Sequence, residues 1–336
     1  MNQTTKRRLA AGLAALALGL TGCGGAGSAS QPPAPTGTPA ASMAAPDGTR
    51  TGLGLDVTIS SQGQSGKTVV TAAGVLLDPE GRILCCVIDA AENTVSLRVD
   101  GTLEVPVPEA TKWEMREAYG LKNASGIGRE WYEQCQAFCD YVQGMTAEEL
   151  AGVETDDGYA ADLDLASGCT IQVAPFLRAV EKAVENAAPK GASAGDTLRL
   201  GTVVSADSTD ASAGRPAAAQ LAHTFVLLTQ NGDGRVTGGI LDEVEPALTA
   251  ETEGTLTADA QSLSSKLEKG VSYGMKGASG IGKEWYEQSE AFCEYLKGKT
   301  AGEIRAIPSI GADADLAAVC TVALTDILAA AAKAAG

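Results

Sequence analysis

The chain of 336 residues contains one 32-residue segment twice, at Tyr119–Leu150 and Tyr273–Ile304, identical at 21 of the 32 positions. Both copies read Tyr-Gly-x-Lys-x-Ala-Ser-Gly-Ile-Gly, then Glu-Trp-Tyr-Glu-Gln, then Ala-Phe-Cys, and each leads into a stretch ending in Cys-Thr and a helical pattern. A duplication of this length requires two units of one design. With about 140 residues apiece, each unit is long enough to bury a core, which places the repeats at 51–190 and 191–336.

Each repeat is expected to open with a strand pair. Thr68–Leu77 and Arg82–Ile88 flank the turn Asp78-Pro79-Glu80-Gly81, and His223–Thr229 and Arg235–Leu241 flank a second turn rich in Gly, Asn and Asp. Within the 32-residue segment a helix is expected from near Gly128 and Gly282. Trp131, Cys135, Phe138, Cys139 and Val142 then form one apolar stripe, repeated by Trp285, Phe292, Cys293 and Leu296. A second helix closes each repeat, over about Pro175–Ala187 with Pro175 at its first position and over about Asp326–Ala335 with Thr325 as its cap. Strands and helices without regular alternation predict an α+β fold: two tandem repeats, each a small antiparallel sheet packed with helices.

Residues 1–23 read as an export signal, with Lys6, Arg7 and Arg8 ahead of the apolar run Leu9–Leu20. Leu20-Thr21-Gly22-Cys23 resembles the bacterial lipobox, which implies that Cys23 is lipidated and becomes the first residue after cleavage. Residues 24–50, made mostly of Gly, Ala, Ser, Thr and Pro, form a tether with a reach of roughly 25 to 30 Å. Loss of the three basic residues takes the formal charge from −17 to −20, so nucleic acid is not an expected partner. The expected location is the extracytoplasmic face of the cell membrane, held by lipid.

His223 is the only histidine, which argues against imidazole-based catalysis and His-ligated metal, and no Cys-x-x-Cys pair suggests zinc. No catalytic residue and no metal ligand are assigned. Two cysteine positions recur in both repeats. For an exported chain they nominate Cys139 with Cys169, and Cys293 with Cys320, as disulfides; small buried thiols are the other possibility. Ser125, Gly126 and Gly128, and likewise Ser279, Gly280 and Gly282, form a Gly-rich turn ahead of a cation and a helix. Such a turn either presents N–H groups to a phosphate or permits a tight helix entry.

Before the closing helix the first repeat reads Asp164-Leu165-Ala166-Ser167-Gly168-Cys169-Thr170, and the second Asp315-Leu316-Ala317-Ala318-Val319-Cys320-Thr321. This pattern resembles the flavinylation motif of FMN-binding domains, in which a flavin transferase joins the threonine hydroxyl to the FMN phosphate. Those domains also begin with an apolar hairpin around an Asp-x-x-Gly turn, as at Asp78–Gly81. In outline the resemblance covers both repeats, and it is similar in particular to the two-domain FMN-binding lipoproteins that Gram-positive bacteria use in extracellular electron transfer. It implies covalent FMN at Thr170 and Thr321, with Asp164, Ser167, Gly168, Cys169, Asp315 and Cys320 around the attachment points. Cysteine replaces the usual alanine before each threonine, and Ala318-Val319 replaces Ser-Gly, so unequal loading is expected.

The expected function is therefore an electron relay rather than a catalyst, with a flavin transferase and a membrane electron donor as partners. The alternative is a cofactor-free cell-surface lipoprotein that binds a ligand or acts as a scaffold.

Overall fold

Each repeat begins with a three-stranded antiparallel meander, one strand more than the expected hairpin. In the first, β1 (Arg50–Gln62), β2 (Ser65–Leu77) and β3 (Ile83–Leu97) lie side by side, with β4 (Leu103–Glu104) on the edge of β3. In the second, β7 (Thr197–Thr209), β8 (Ala218–Gln230) and β9 (Val236–Val244) repeat the arrangement. Both expected hairpins form, Leu77 pairing with Ile83 and Gln230 with Val236. The second copy breaks where the first runs on. Pro246 holds the position of Asn93 and has no N–H for a ladder, so β10 (Ala247–Ala250) restarts after it and pairs with β8 and β11 (Leu256–Ala258).

The computed structural model describes residues 47–212, 214–251, 254–309 and 314–336. Residues 1–46, which hold the expected export signal, Cys23 and most of the expected tether, lie outside them. The fold is α+β. In the first repeat the meander is followed by α1 (Lys112–Met115), α2 (Trp131–Val142), α3 (Ala147–Ala151), the two-residue strands β5 (Thr155–Asp156) and β6 (Tyr159–Ala160), α4 (Leu163–Gly168) and α5 (Ala174–Glu185). The second has α6 (Lys266–Lys269), α7 (Trp285–Leu296), α8 (Ala301–Arg305), α9 (Ala314–Val319) and α10 (Leu324–Ala335).

Strand alternation sorts the core into layers. On β2, Ala73, Val75 and Leu77 face the helices of their own repeat, while Val70, Ala72 and Leu76 face the other sheet. On β8, Val226 and Leu228 face α7 and α10, while Phe225 and Leu227 meet the first sheet. The order is helices, sheet, sheet, helices, and the two repeats share the central layer. Gly74 and Leu227 hold the same hairpin position in the two copies and meet there: a Cβ on Gly74 would lie 2.3 Å from the Leu227 side chain. Reciprocal ion pairs close the assembly, Lys182 of α5 to Glu268 of α6 at 2.7 Å and Lys333 of α10 to Glu114 of α1 at 2.8 Å.

Three helix starts differ from the sequence expectation. Gly128 is left-handed at φ 63°, so α2 begins only at Trp131, after Glu130 as cap. Ala174 precedes Pro175 in α5, which puts the proline at the second position, where its missing N–H is equally harmless. α10 starts at Leu324 after Ala323, so Thr325 is inside the helix rather than its cap.

Asp89 and Asp242 occupy equivalent buried positions at the base of α1 and α6. Asp89 accepts from the Trp113 and Ala90 amides and from the Thr202 hydroxyl of the other repeat, whereas Leu55 holds the place of Thr202 near Asp242. Burial pushes Asp89 up to about 6 and Asp242 up to about 7, and the hydrogen bonds offset only part of this. Between about pH 4 and 7 the fold holds protons that the unfolded chain has released, so these carboxyls make stability fall as pH rises. His223 acts oppositely. Burial lowers it to about 4 from 6.5, so it weakens the fold as pH falls through that interval. Asp242→Asn is expected to reduce the stability lost between pH 4 and 7 by on the order of 3 kcal/mol in denaturant titrations. An unchanged pH slope would contradict it.

Candidate functional site

The matched residues of the 32-residue segment have assignable structural work. Glu133 accepts from the Glu130 amide at 2.8 Å in a capping box, and the buried Glu130 carboxylate also takes the Leu121 amide at 2.8 Å. Glu284 and Glu287 repeat this, with Met275 in place of Leu121. Trp131 is core, as its stripe predicts, meeting Phe176 edge-on at 5.7 Å.

Gln134 ties the two sequence motifs together. Its amide nitrogen donates to Ser125 Oγ at 3.0 Å and the Arg129 carbonyl at 3.1 Å. Its oxygen accepts the Thr170 amide at 2.8 Å and the Thr170 hydroxyl at 3.1 Å. Gln288 does the same for Ser279, Lys283 and Thr321. Both glutamines are fully buried, while both threonines remain exposed. The sequence reasoning missed this residue, although it stands in the matched Glu-Trp-Tyr-Glu-Gln run. Gln134→Ala removes the partner of two donors and two acceptors at once and is expected to cost about 2 to 3 kcal/mol in urea unfolding. Gln136→Ala, on the exposed face of the same helix, should change stability by less than about 0.5 kcal/mol.

The Gly-rich turn spends its amides internally. Ile127 donates to Ser125 Oγ and Gly128 to the Ser125 carbonyl, and the second copy does likewise at Ser279. Gly128 and Gly282 are needed for left-handed φ values of 63° and 62°; Gly126 and Gly280 have open space around them. The turn supports Thr170 through Gln134.

Asp164, Ser167 and Gly168 lie in α4, where Asp162 is the cap and the Ser167 hydroxyl returns to the Asp164 carbonyl. Gly168 lets α4 close on α2: an added Cβ would sit 3.0 Å from Ala137. Asp315 is exposed on α9, and half-buried Val319 occupies the position of Gly168. Cys169 and Cys320 are buried in the cores, while the threonines that follow them are exposed.

Thr170 stands at a cleft of about 390 Å³ on the outer face of the first sheet. Tyr119, Trp131, Tyr159 and Phe176 supply its aromatic walls; Lys67, Glu92 and Lys112 its charges. Lys67 and Lys112 reach Glu92 at 2.6 and 3.1 Å. Burial acts to raise the Glu92 carboxyl, but the two ammoniums outweigh it and hold the group below its ordinary range. In the second repeat Gln220 and Glu243 stand at the positions of Lys67 and Ala90. Lys266, equivalent to Lys112, is buried between Glu243 at 2.5 Å and Glu245 at 3.0 Å, and its ammonium lies over the rings of Tyr273 and Trp285.

All seven described cysteines are free, so neither disulfide nominated from repeat symmetry is present. Cys139 instead has Cys86 and Cys135 as neighbours, and the Cys135 thiol donates to the Ile88 carbonyl at 3.7 Å. In the second copy Ser289 and Gly239 take those two places, and burial, with Glu294 and Glu290 adding to it, pushes Cys293 up to about 12.

No family model matches the chain, and no solved structure matches it. A stretch of 40 residues is 50% identical to a chlorophenol reductase of Desulfitobacterium hafniense, and it covers 12% of this chain and 12% of that protein.

Proposed function

We propose that this chain is a lipid-anchored, extracytoplasmic flavoprotein that carries FMN on threonine and relays electrons at the cell surface, with Cys23 as the lipidated residue and Thr170 and Thr321 as attachment points. The observation that carries this reading is the exposed Thr170 hydroxyl at the rim of an aromatic-walled cleft with two ammoniums. The cleft is of small-ligand size, the exposed Tyr159 ring on its wall is open to a fused-ring system, and Lys67 and Lys112 offer charge to a phosphate.

Attachment from a flavin dinucleotide balances simply. The Thr170 Oγ–phosphorus bond forms, the pyrophosphate bond to AMP breaks, and the hydroxyl proton passes to a base of the transferase. Thr170 Oγ1 must leave Gln134 for this step, while the Thr170 amide keeps the loop in place through the same glutamine oxygen. FMN held there supplies the electron-carrying chemistry; the chain's share is to fix the phosphate end and wall the ring. The donor would be a membrane redox protein within reach of the tether.

A cofactor-free surface module is the second reading. It is favoured by the Gln–Thr clamp being the same in both repeats although the surrounding charges differ, as a purely structural clamp would be. Visible flavin absorption that stays with the unfolded polypeptide, after co-expression with a flavin transferase, decides for the first reading. A colourless chain decides for the second.

A further inference from the structure

The two repeats build the clamp alike and the charges around it differently. In the first, two ammoniums face one carboxylate, and Lys67 is half exposed with its charge open to the cleft. In the second, one ammonium faces two carboxylates. There Lys266 has 8% of its side chain exposed, and its ammonium lies 5.1 Å from the centre of the Tyr273 ring and 5.6 Å from that of Trp285. Lys112, its counterpart, lies over Tyr119 only, at 5.4 Å, and the Trp131 ring lines the cleft. The first cleft thus has a cation in excess and the exposed ring of Tyr159 on its wall. The second has an excess carboxylate and covers its rings with its own lysine.

We propose that the first cleft alone takes a phosphate-bearing, flat-ringed ligand, and that the residues deciding this are Lys67 and Ala90 in one repeat and Gln220 and Glu243 in the other. The inference rests on the flavin reading above and names which of its two sites is loaded. An anion entering the second site meets two carboxylates in a partly dehydrated setting, where like-charge repulsion is poorly screened. A neutral ring would have to displace Lys266 from both aromatics and from Glu243 and Glu245. Val319 near Thr321 hinders the approach of an enzyme; the charge difference acts on the ligand itself and is separable from it.

The test uses the full-length protein made without a flavin transferase and titrates it with FMN and, separately, with inorganic phosphate. The indole N–H signals of Trp131 and Trp285 are followed by NMR, each assigned through its Trp→Phe variant. The expected result is a saturable shift of Trp131 with FMN, weakened by added salt, and at least a tenfold higher concentration to move Trp285. Lys67→Gln should weaken the Trp131 response several-fold, and Gln220→Lys with Glu243→Ala should create one at Trp285. Equal responses, a stronger response at Trp285, or no response at either indole would overturn the inference, and so would a Trp131 response indifferent to Lys67→Gln. The underlying reading fails separately. If co-expressed protein carries flavin while the indoles respond alike, the charge inference is wrong and the flavin reading stands. If Trp131 alone responds and no flavin is ever attached, the reverse holds.

Discussion

Thr170→Val is expected to remove covalent flavin from the first repeat completely while leaving the fold in place. Valine keeps the shape of threonine and the amide that reaches Gln134, and it loses only the hydroxyl, which makes one hydrogen bond at 3.1 Å. The stability cost should be about 1 kcal/mol, because the residue is exposed and its amide still pairs the glutamine oxygen. Thr170→Ser restores a hydroxyl on the same main chain and should restore some attachment. The measurement is flavin per polypeptide after denaturation, with Thr321→Val alongside. Undiminished flavin in Thr170→Val together with complete loss in Thr321→Val would assign the chemistry to the other repeat.

Gly54→Val and Gly201→Val are expected to prevent folding, each from its own repeat. These glycines hold the same position in β1 and β7, where the closing helix of the repeat lies directly on the strand. A Cβ on Gly54 would stand 2.2 Å from the Ala179 carbonyl oxygen of α5, and one on Gly201 would stand 2.0 Å from that of Ala330 in α10. The obstacle is helix backbone, which cannot rotate aside as a side chain could, so the helix must lift from a fully buried face. The loss should exceed about 4 kcal/mol, seen as missing soluble protein or a collapsed thermal transition. Gly232→Ala, in an open turn with nothing within 4 Å, should have little effect.

The same glycines explain what the sequence concealed. The hairpins were legible because Val, Ile and Leu flank turns made of Pro, Gly, Asn and Asp. The leading strands were not, because β1 reads Arg-Thr-Gly-Leu-Gly-Leu-Asp and its glycines resemble the end of a linker. They are there for the close approach of α5, a tertiary cause with no local signature. The stripe from Trp131 to Val142 was legible as core because 3.6-residue periodicity depends on the helix alone.

The threonines and the Ser-Gly-Ile-Gly turn were visible as separate motifs, but their link through Gln134 joins residues far apart in the chain. The cleft charges were hidden more deeply. Lys67, Glu92 and Lys112 belong to three elements, and only the register that sets Val69 opposite Glu92 brings them together. Repeat symmetry pointed to Cys169 as the partner of Cys139, whereas the packing gives Cys139 the neighbours Cys86 and Cys135, which have no cysteine counterparts in the second copy.

The direct test is the mass of two tryptic peptides, Glu130–Arg178 and Ala306–Lys333, from protein co-expressed with a flavin transferase. The account predicts that the first carries the added mass of one phosphoester-linked FMN, with fragmentation placing it on Thr170, and that the second is unmodified or modified to a much smaller extent. Both peptides at their unmodified masses, from protein shown to have met an active transferase, would contradict it.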